Sequence, residues 1–211
     1  KIYYLQMKNI TFEKYQGNGN DFVVIDSRGN DLYKNYKTNK IFDIKKICNR
    51  QFGIGADGVI FIEEPNEDNY AKMIIFNSDG SEAQMCGNGI RCLVEYLHVN
   101  DSKNSKNIEY KIETKAGLKV AKYLNDEITV KMGVPILESH YIPTIIEKKI
   151  NSVPSHNFIE KNFNNKGYAV GMGNPHLIFF VKDLESINLS RLGPIFEKNE
   201  LFPEKTNVHF C

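Results

Sequence analysis

The fold of this chain is decided above all by the stretch MCGNGIRCLVEYLHV, residues 85–99. Apolar side chains recur in it at helical spacing, as Ile90, Leu93, Val94 and Leu97. This i, i+3, i+4, i+7 pattern predicts an amphipathic helix over residues 88–99 that buries one face. Whatever fold the chain adopts must therefore supply an apolar surface to cover that face.

Short β-branched and aromatic runs, bounded by Gly, Asn or Asp, lie on both sides of the predicted helix. They cover residues 22–25, 59–62, 73–76, 128–130 and 177–181. Residues 118–123 and 128–132 flank a polar turn and predict a hairpin, and a second short helix is expected over 43–50. A helix with strands before and after it predicts an α+β fold, in which the helix packs against or inside a curved sheet.

The residues MGVP, 132–135, interrupt the strand pattern and predict a boundary between two halves. We expect an N-terminal half over 7–132 and a C-terminal half over 133–211. Residues 1–6 are expected to be an N-terminal extension, because Met7 is a candidate native start. The chain ends inside a predicted strand, so the second half is expected to be truncated.

Composition and charge narrow the function classes. The chain has 211 residues, and its 27 basic and 26 acidic residues give a net charge of +1. A net charge this close to zero gives the chain no long-range attraction to nucleic acid or to an anionic membrane surface. No apolar run approaches the roughly 20 residues of a membrane span. Four cysteines without CxxC or zinc spacing indicate free thiols in a reducing compartment. We expect a cytoplasmic protein, or a plastid protein if the source is a plant or alga.

Cys86 stands just before the first turn of the predicted helix, where backbone N–H groups and the positive end of the helix dipole gather. Both favour the thiolate form of a cysteine. Gly87 and Gly89 carry no side chains, so a ligand carboxylate can approach the same N–H groups. The motif thus offers a base and an anion site within one turn, with a small buried cysteine in a helix cap as the alternative. Cys48 and Cys92 are expected to be packing residues.

Four loops place asparagines at the ends of predicted strands: Asn20, Asn77, Asn174 and Asn207. Each alone is most simply a turn former, whereas together they can supply amide donors and acceptors for a zwitterionic ligand. The GIGADG segment, residues 53–58, matches the dinucleotide pattern GxGxxG. A helix precedes it and a strand follows it, which is the reverse of a nucleotide loop. Nucleotide chemistry and metal chemistry therefore have no support from motifs.

Six segments, in this order, resemble the motifs of the diaminopimelate epimerase family. They are GNGNDFVV (17–24), GIGADG (53–58), FNSDGSE (76–82), MCGNGIR (85–91), GNPH (173–176) and FPEKTN (202–207). The resemblance runs from about Phe12 to Phe210. It implies two pseudo-symmetric halves, each a curved β-sheet or barrel around a central helix, with the active site in the cleft between them.

The resemblance also implies an enzyme, an isomerase that interconverts LL- and meso-diaminopimelate in lysine and peptidoglycan biosynthesis. Two cysteines transfer the proton, without pyridoxal phosphate, metal or another cofactor. By match to the motifs, Cys86 is the first catalytic cysteine, Gly87 and Asn88 bind the carboxylate at the reacting centre, and His176 supports catalysis. The matched substrate-binding asparagines are Asn20, Asn77, Asn174 and Asn207. The implied partner is this small-molecule substrate, and a homodimer is left open.

One departure from the family pattern concerns the second half. The family carries an Arg-Gly-Xaa-Gly-Glu segment and a second cysteine in an Ala-Cys-Gly-Thr/Ser-Gly motif, and the chain ends before both. Cys211 lacks the flanking glycines and is not assigned that role, so the 211-residue chain alone is expected to be inactive. Two alternatives stay open: another isomerase of this fold, of the proline-racemase or phenazine-biosynthesis type, and a non-catalytic amino-acid-binding fragment. The four asparagine loops favour diaminopimelate.

Overall fold

The computed structural model describes residues 10–39, 43–101 and 107–211. The expected extension over residues 1–6, and Met7, lie outside these described residues. The chain forms two compact units, the first ending at Met132 and the second spanning Gly133–Cys211. Among the described residues, none of the helices is long and apolar enough to cross a membrane.

The first unit combines one mixed sheet with three helices in its described part. Its strands are β1 (Glu13–Gly17), β2 (Asn20–Asp26), β3 (Gly58–Glu63), β4 (Ala71–Asn77), β5 (Glu82–Ala83), β6 (Asn107–Thr114), β7 (Gly117–Leu124) and β8 (Glu127–Lys131). Its helices are α1 (Leu32–Asn39), α2 (Ile44–Cys48) and α3 (Gly87–Asp101). The sheet order is β1-β2-β3-β4-β6-β7-β8, with β5 paired to β4.

The sheet of the first unit curves around α3. This helix contacts both edge strands, β1 and β8, as well as β2, β3, β4 and β7. One helix can touch both edges only if the sheet curls around it. The predicted stripe is fully buried against the sheet, with Ile90, Leu93 and Leu97 packed among residues such as Ile60 and Tyr110. The prediction of an α+β fold with a helix inside a curved sheet is confirmed.

Strands β2, β3 and β4 are covered on both faces, which explains their continuous apolar runs. The face opposite α3 packs against α1 and α2, with the Tyr36 ring stacked on Phe61 at a centroid distance of 5.6 Å. The sequence did not predict α1, because its core-facing side chains are the half-buried Leu32 and two half-buried tyrosines set among lysines. The second predicted helix is shorter than residues 43–50, since Asp43 caps its start and the helix ends at Cys48.

The predicted hairpin in the first unit is confirmed. β7 and β8 pair antiparallel across a two-residue turn. Asn125 and Asp126 form this turn with φ angles of 50° and 62°, which suits a type I′ hairpin. Asn and Asp tolerate this left-handed backbone better than other residues with side chains.

The second unit has a sheet of its own in the order β13-β12-β11-β10-β9. Its strands are β9 (Lys149–Ile150), β10 (Val153–Glu160), β11 (Phe163–Gly171), β12 (Pro175–Phe179) and β13 (Asn207–Phe210), and its helix is α4 (Leu189–Glu197). β12 and β13 pair in parallel. Leu192 and Phe196 of α4 pack against a cluster of sheet phenylalanines that includes Phe158 and Phe179. The predicted strand over 177–181 ends two residues early, at Phe179.

Candidate active site

Cys86 lies at the N-terminus of α3, directly before its first residue, Gly87. Its carbonyl oxygen accepts a hydrogen bond from the Ile90 N–H at 2.9 Å, which is an i→i−4 bond of the helix. Its Sγ accepts another from the Gly89 N–H at 3.4 Å. The thiol therefore takes the place of an N-cap side chain, with a helix-end N–H group pointing at the sulfur. The sulfur thus lies at the positive end of the helix dipole.

The amides of Gly87 and Asn88 are the first two of the helix. Amides at this position have no carbonyl partner within the helix and are suited to an anion such as a carboxylate. The helix start is packed closely onto the sheet, since a Cβ at Gly89 would lie 3.1 Å from Ile75 Cδ1 and 3.3 Å from Ile60 Cδ1. A thiol and an anion-binding helix end thus lie within one closely packed turn.

Asn20 is brought beside Cys86 from 66 residues earlier in the chain. The Cys86 thiol donates to Asn20 Oδ1, with 3.8 Å between sulfur and oxygen. Asn20 Nδ2 donates to Asp57 Oδ2 at 2.9 Å. Asn18, in the β1–β2 turn, donates from Nδ2 to Asn88 Oδ1 at 3.2 Å. The turn between β1 and β2 is therefore joined to the start of α3 at two points.

Asn77 is the last residue of β4, and Asn20 is the first residue of β2. Both residues lie at the same end of the sheet's strands. β3 separates the two strands, and its first residue, Gly58, is paired with Phe22 on one side and with Asn77 on the other. Asn77 Nδ2 donates to Ser81 Oγ at 3.0 Å, which fixes the orientation of the amide. The structure thus places Asn20, Asn77 and the start of α3 in one unit.

The second unit brings together the other predicted residues. Asn174 lies in the turn before β12, and its Oδ1 lies 2.8 Å from His176 Nε2. His176 is paired with Asn207 across the parallel β12–β13 ladder. Asn207 Nδ2 donates to the Pro175 carbonyl at 3.1 Å. His209, two residues farther along β13, lies with Nε2 at 2.8 Å from His176 Nδ1.

The hydrogen-bond chain through His176 fixes its tautomer. Because Asn174 Oδ1 can only accept, His176 Nε2 carries the hydrogen, and Nδ1 accepts from His209 Nε2–H. Burial lowers the pKa of His176, and the nearby His209 lowers it further. Burial also lowers the pKa of His209. At neutral pH the pair is therefore uncharged, and His176 acts as a fixed donor that orients the Asn174 amide.

Three contributors to these clusters were missed in the sequence. Asp57 lies in the GIGADG segment and Arg50 lies three residues before it. This segment matches a motif of the family, but neither residue was predicted to be part of the site. A charged residue at a strand entrance, beside other such entrances, was a signal that could have pointed to Asp57. His209 follows Asn207 by two positions, and strand alternation puts both on the same face.

The remaining cysteines have environments different from that of Cys86. Cys48 and Cys92 are buried in the core, as predicted, and Cys211 is exposed. Burial raises the pKa of Cys92 to about 11. Burial also raises the pKa of Cys48, and the carboxylates of Asp21 and Asp57 add to that shift. Both buried thiols therefore stay protonated at neutral pH.

We predict that iodoacetamide alkylates Cys86 at pH 8 at least about tenfold faster than Cys92, of which only about a thousandth is thiolate at that pH. Peptide mass spectrometry gives a separate rate for each cysteine, and Cys211 provides the rate of an exposed thiol. In guanidinium chloride, which unfolds the protein, the alkylation rates of the cysteines should converge. This control shows that the differences in the folded protein come from its structure and not from the neighbouring residues in the sequence. If Cys48 or Cys92 reacts before Cys86, the helix cap does not activate the thiol.

The arrangement is suited to proton transfer beside a carboxylate. Cys86 has a hydrogen-bond partner for its thiolate form and one for its thiol form, and the helix-end amides adjoin it. Within the described ranges, no group of three or more His, Cys, Asp or Glu side chains is placed to hold a metal ion. The amide side chains in each unit can donate and accept, as recognition of an ammonium and a carboxylate requires.

The sequence of the chain is similar to that of known proteins. A family model described as diaminopimelate epimerase matches residues 12–138. The chain is 48% identical over 206 residues to a diaminopimelate epimerase of Prochlorococcus marinus (strain NATL2A), covering 97% of the chain and 72% of the relative. It is 43% identical over 201 residues to the diaminopimelate epimerase of Carboxydothermus hydrogenoformans, covering 94% of the chain and 70% of the relative.

Solved structures with the same fold are more distant in sequence. A hydroxyproline epimerase from Agrobacterium vitis superposes with a TM-score of 0.57 at 13% identity, covering 83% of this chain and 53% of that one. A phenazine biosynthesis protein of the PhzF family from Bacillus anthracis gives a TM-score of 0.52 at 20% identity, covering 90% and 62%. The chain thus spans about half to three fifths of these proteins, and at such identities the likeness shows the fold alone.

Proposed function

The chain belongs to the diaminopimelate epimerase family, and from that premise we propose that the protein encoded by its complete reading frame interconverts LL- and meso-2,6-diaminopimelate by proton transfer at one α-carbon, without a cofactor. The family consists of isomerases of amino-acid and lysine biosynthesis. The observation that carries the proposal is the position of Cys86, whose Sγ accepts from the Gly89 N–H at 3.4 Å at the end of a helix.

Cys86 is proposed to remove or return the α-proton on one face of the substrate carbon. Inversion needs an acid on the opposite face, and the family resemblance assigns that role to a second cysteine. The α-hydrogen of an amino acid is weakly acidic, so the charge that develops on the carboxylate must be stabilised. The first amides of α3, those of Gly87 and Asn88, are suited to this because they are aimed before the reaction begins.

Recognition of the substrate is proposed to rest on the two clusters of amides. Asn20, Asn77, Asn174 and Asn207 would bind the polar groups at the distal amino-acid end of diaminopimelate, which is the role that the family motifs imply. His176 supports catalysis in this scheme by holding the Asn174 amide in one orientation. A site built to hydrogen-bond both ends rejects shorter amino acids, because buried polar groups are then left unpaired.

The reaction is proposed to take place in the cytoplasm, or in a plastid if the source is a plant or alga. The four free cysteines support this location, because cysteines without disulfide partners are the usual state in a reducing compartment. The small-molecule substrate is the partner that the site supports, and a homodimer is compatible with it.

The proposal is tested with the protein expressed from its complete reading frame and LL-diaminopimelate in D₂O. We expect conversion to the meso isomer with deuterium at the inverted α-carbon, followed by chromatography and mass spectrometry. Activity should survive EDTA and borohydride, which would stop a metal enzyme and an imine-forming enzyme respectively. Proline and hydroxyproline serve as comparison substrates, and a higher kcat/KM for either one would contradict the assignment to diaminopimelate.

A further inference from the structure

Asp57 holds a central place in the hydrogen bonds around Asn20, although it does not contact Cys86. Its Oδ2 accepts from Asn20 Nδ2 at 2.9 Å and from the Asp21 N–H at 3.1 Å. Its Oδ1 accepts from Arg50 Nη2 at 2.9 Å. Its own N–H donates to Asp21, and its carbonyl accepts from the Ser78 N–H at 3.0 Å. Both its backbone and its carboxylate are therefore tied to neighbouring segments.

The charge of Asp57 decides which end of the Asn20 amide faces Cys86. An ionised carboxylate only accepts hydrogen bonds, so the nitrogen of the Asn20 amide must point toward Asp57. The oxygen of the same amide is then turned to Cys86 Sγ, 3.8 Å away. An oxygen at this position accepts from the S–H group, whereas it has nothing to donate to a thiolate.

Neighbouring cations keep Asp21, which is bonded to Asp57, ionised. Arg50 binds Asp21 through two hydrogen bonds, of 2.7 Å and 3.0 Å, and holds the pKa of that carboxyl well below its usual range. Lys14 lies 3.1 Å from the same carboxylate. The charged groups linked to this face of Cys86 are thus Lys14, Asp21, Arg50 and Asp57, and the neighbouring titratable thiol is Cys92.

We propose that Asp57 is a positioning residue that orients the Asn20 amide so that its oxygen stabilises the protonated, proton-donating form of Cys86. The inference rests on the proposed function, in which Cys86 exchanges a proton with the substrate. A group that acts as an acid in one direction and as a base in the other needs a partner in each form. The Gly89 N–H serves the thiolate and Asn20 Oδ1 serves the thiol.

The test is the Asp57→Asn variant, in which the new side chain can donate as well as accept. The Asn20 amide can then rotate and turn its nitrogen to the sulfur. We expect the ratio of the Cys86 alkylation rate at pH 7 to that at pH 10 to rise about threefold. Because both rates are measured on the same variant, their ratio cancels any change in the access of the reagent to Cys86. Asp68→Asn, an exposed position in the loop after β3, makes the same change in charge and should leave the ratio unchanged.

Loss of the Asp57 charge also favours a thiolate directly, and a double-mutant cycle separates the two effects. In an Asn20→Ala background only the direct effect of the charge remains, so Asp57→Asn should change the ratio by clearly less than threefold if Asp57 acts through Asn20. An undiminished threefold change there would overturn the proposal. If Asp57→Asn does not fold, Asn20→Ala alone decides, because loss of the oxygen should raise the ratio, and an unchanged ratio contradicts the proposal.

These alkylation rates are measured on the protein without substrate, so the outcome is independent of turnover. A protein that shows the expected ratios but does not epimerise diaminopimelate contradicts only the proposed function. A protein that epimerises diaminopimelate but shows unchanged ratios contradicts only the role of Asp57.

Discussion

Replacing Cys86 with alanine in the complete protein is expected to lower kcat for diaminopimelate by about 10⁴-fold, at the upper end of what one positioned acid or base contributes. The α-proton then has no acceptor on one face of the carbon, and no other thiol in the first unit can replace it. Cys92 and Cys48 are buried and have raised pKa values. Substrate affinity should change little, because the asparagines and the helix-end amides remain.

The measurement is the conversion of LL- to meso-diaminopimelate, combined with calorimetric binding of the substrate. Cys48→Ala is the matched control, since Cys48 is the last residue of α2 and is buried on the opposite face of the sheet. That variant should keep turnover and lose roughly 1 kcal/mol of stability, as expected for a small buried side chain. Turnover by Cys86→Ala within tenfold of the unaltered protein would exclude Cys86 as a proton carrier.

Asn77→Ala is expected to weaken substrate binding by about 1–3 kcal/mol, or roughly five- to 150-fold in Kd. Asn77 lies at the same end of the sheet's strands as Asn20, and its amide is oriented by a hydrogen bond to Ser81. If it binds an ionic end of the substrate, its loss leaves that group without a partner after the site closes around it. Binding is followed by calorimetry and turnover by steady-state kinetics.

Asn164→Ala, at an exposed position of β11, is the control for the loss of an asparagine side chain. It should leave both Kd and kcat for diaminopimelate unchanged. Ser81→Ala should give a smaller loss than Asn77→Ala, because it frees the amide to rotate without removing it. Steady-state kinetics of Asn77→Ala that match the unaltered protein would remove Asn77 from the substrate site.

Local patterns were sufficient to predict much of the first unit. The stripe of Ile90, Leu93 and Leu97 predicts α3 because burial at helical spacing is a property of the sequence alone. The two residues Asn125 and Asp126 likewise predict the hairpin turn. The sequence did not predict α1, because Tyr33 and Tyr36 become half-buried against rings on β3 and β4, which are distant in sequence.

The sequence alone also determined the candidate reactive group, since a cysteine followed by Gly-Asn-Gly at a helix start is a local arrangement. Only the tertiary structure decided what faces that cysteine. Asp57 reaches Asn20 because β2 and β3 run parallel and start at the same end of the sheet, and Asn20 reaches Cys86 because α3 packs against β2. His209 reaches His176 because β12 and β13 pair in parallel. Parallel pairing joins segments that are far apart along the chain, and which end of an amide faces a thiol depends on the charge that this pairing brings to its other end.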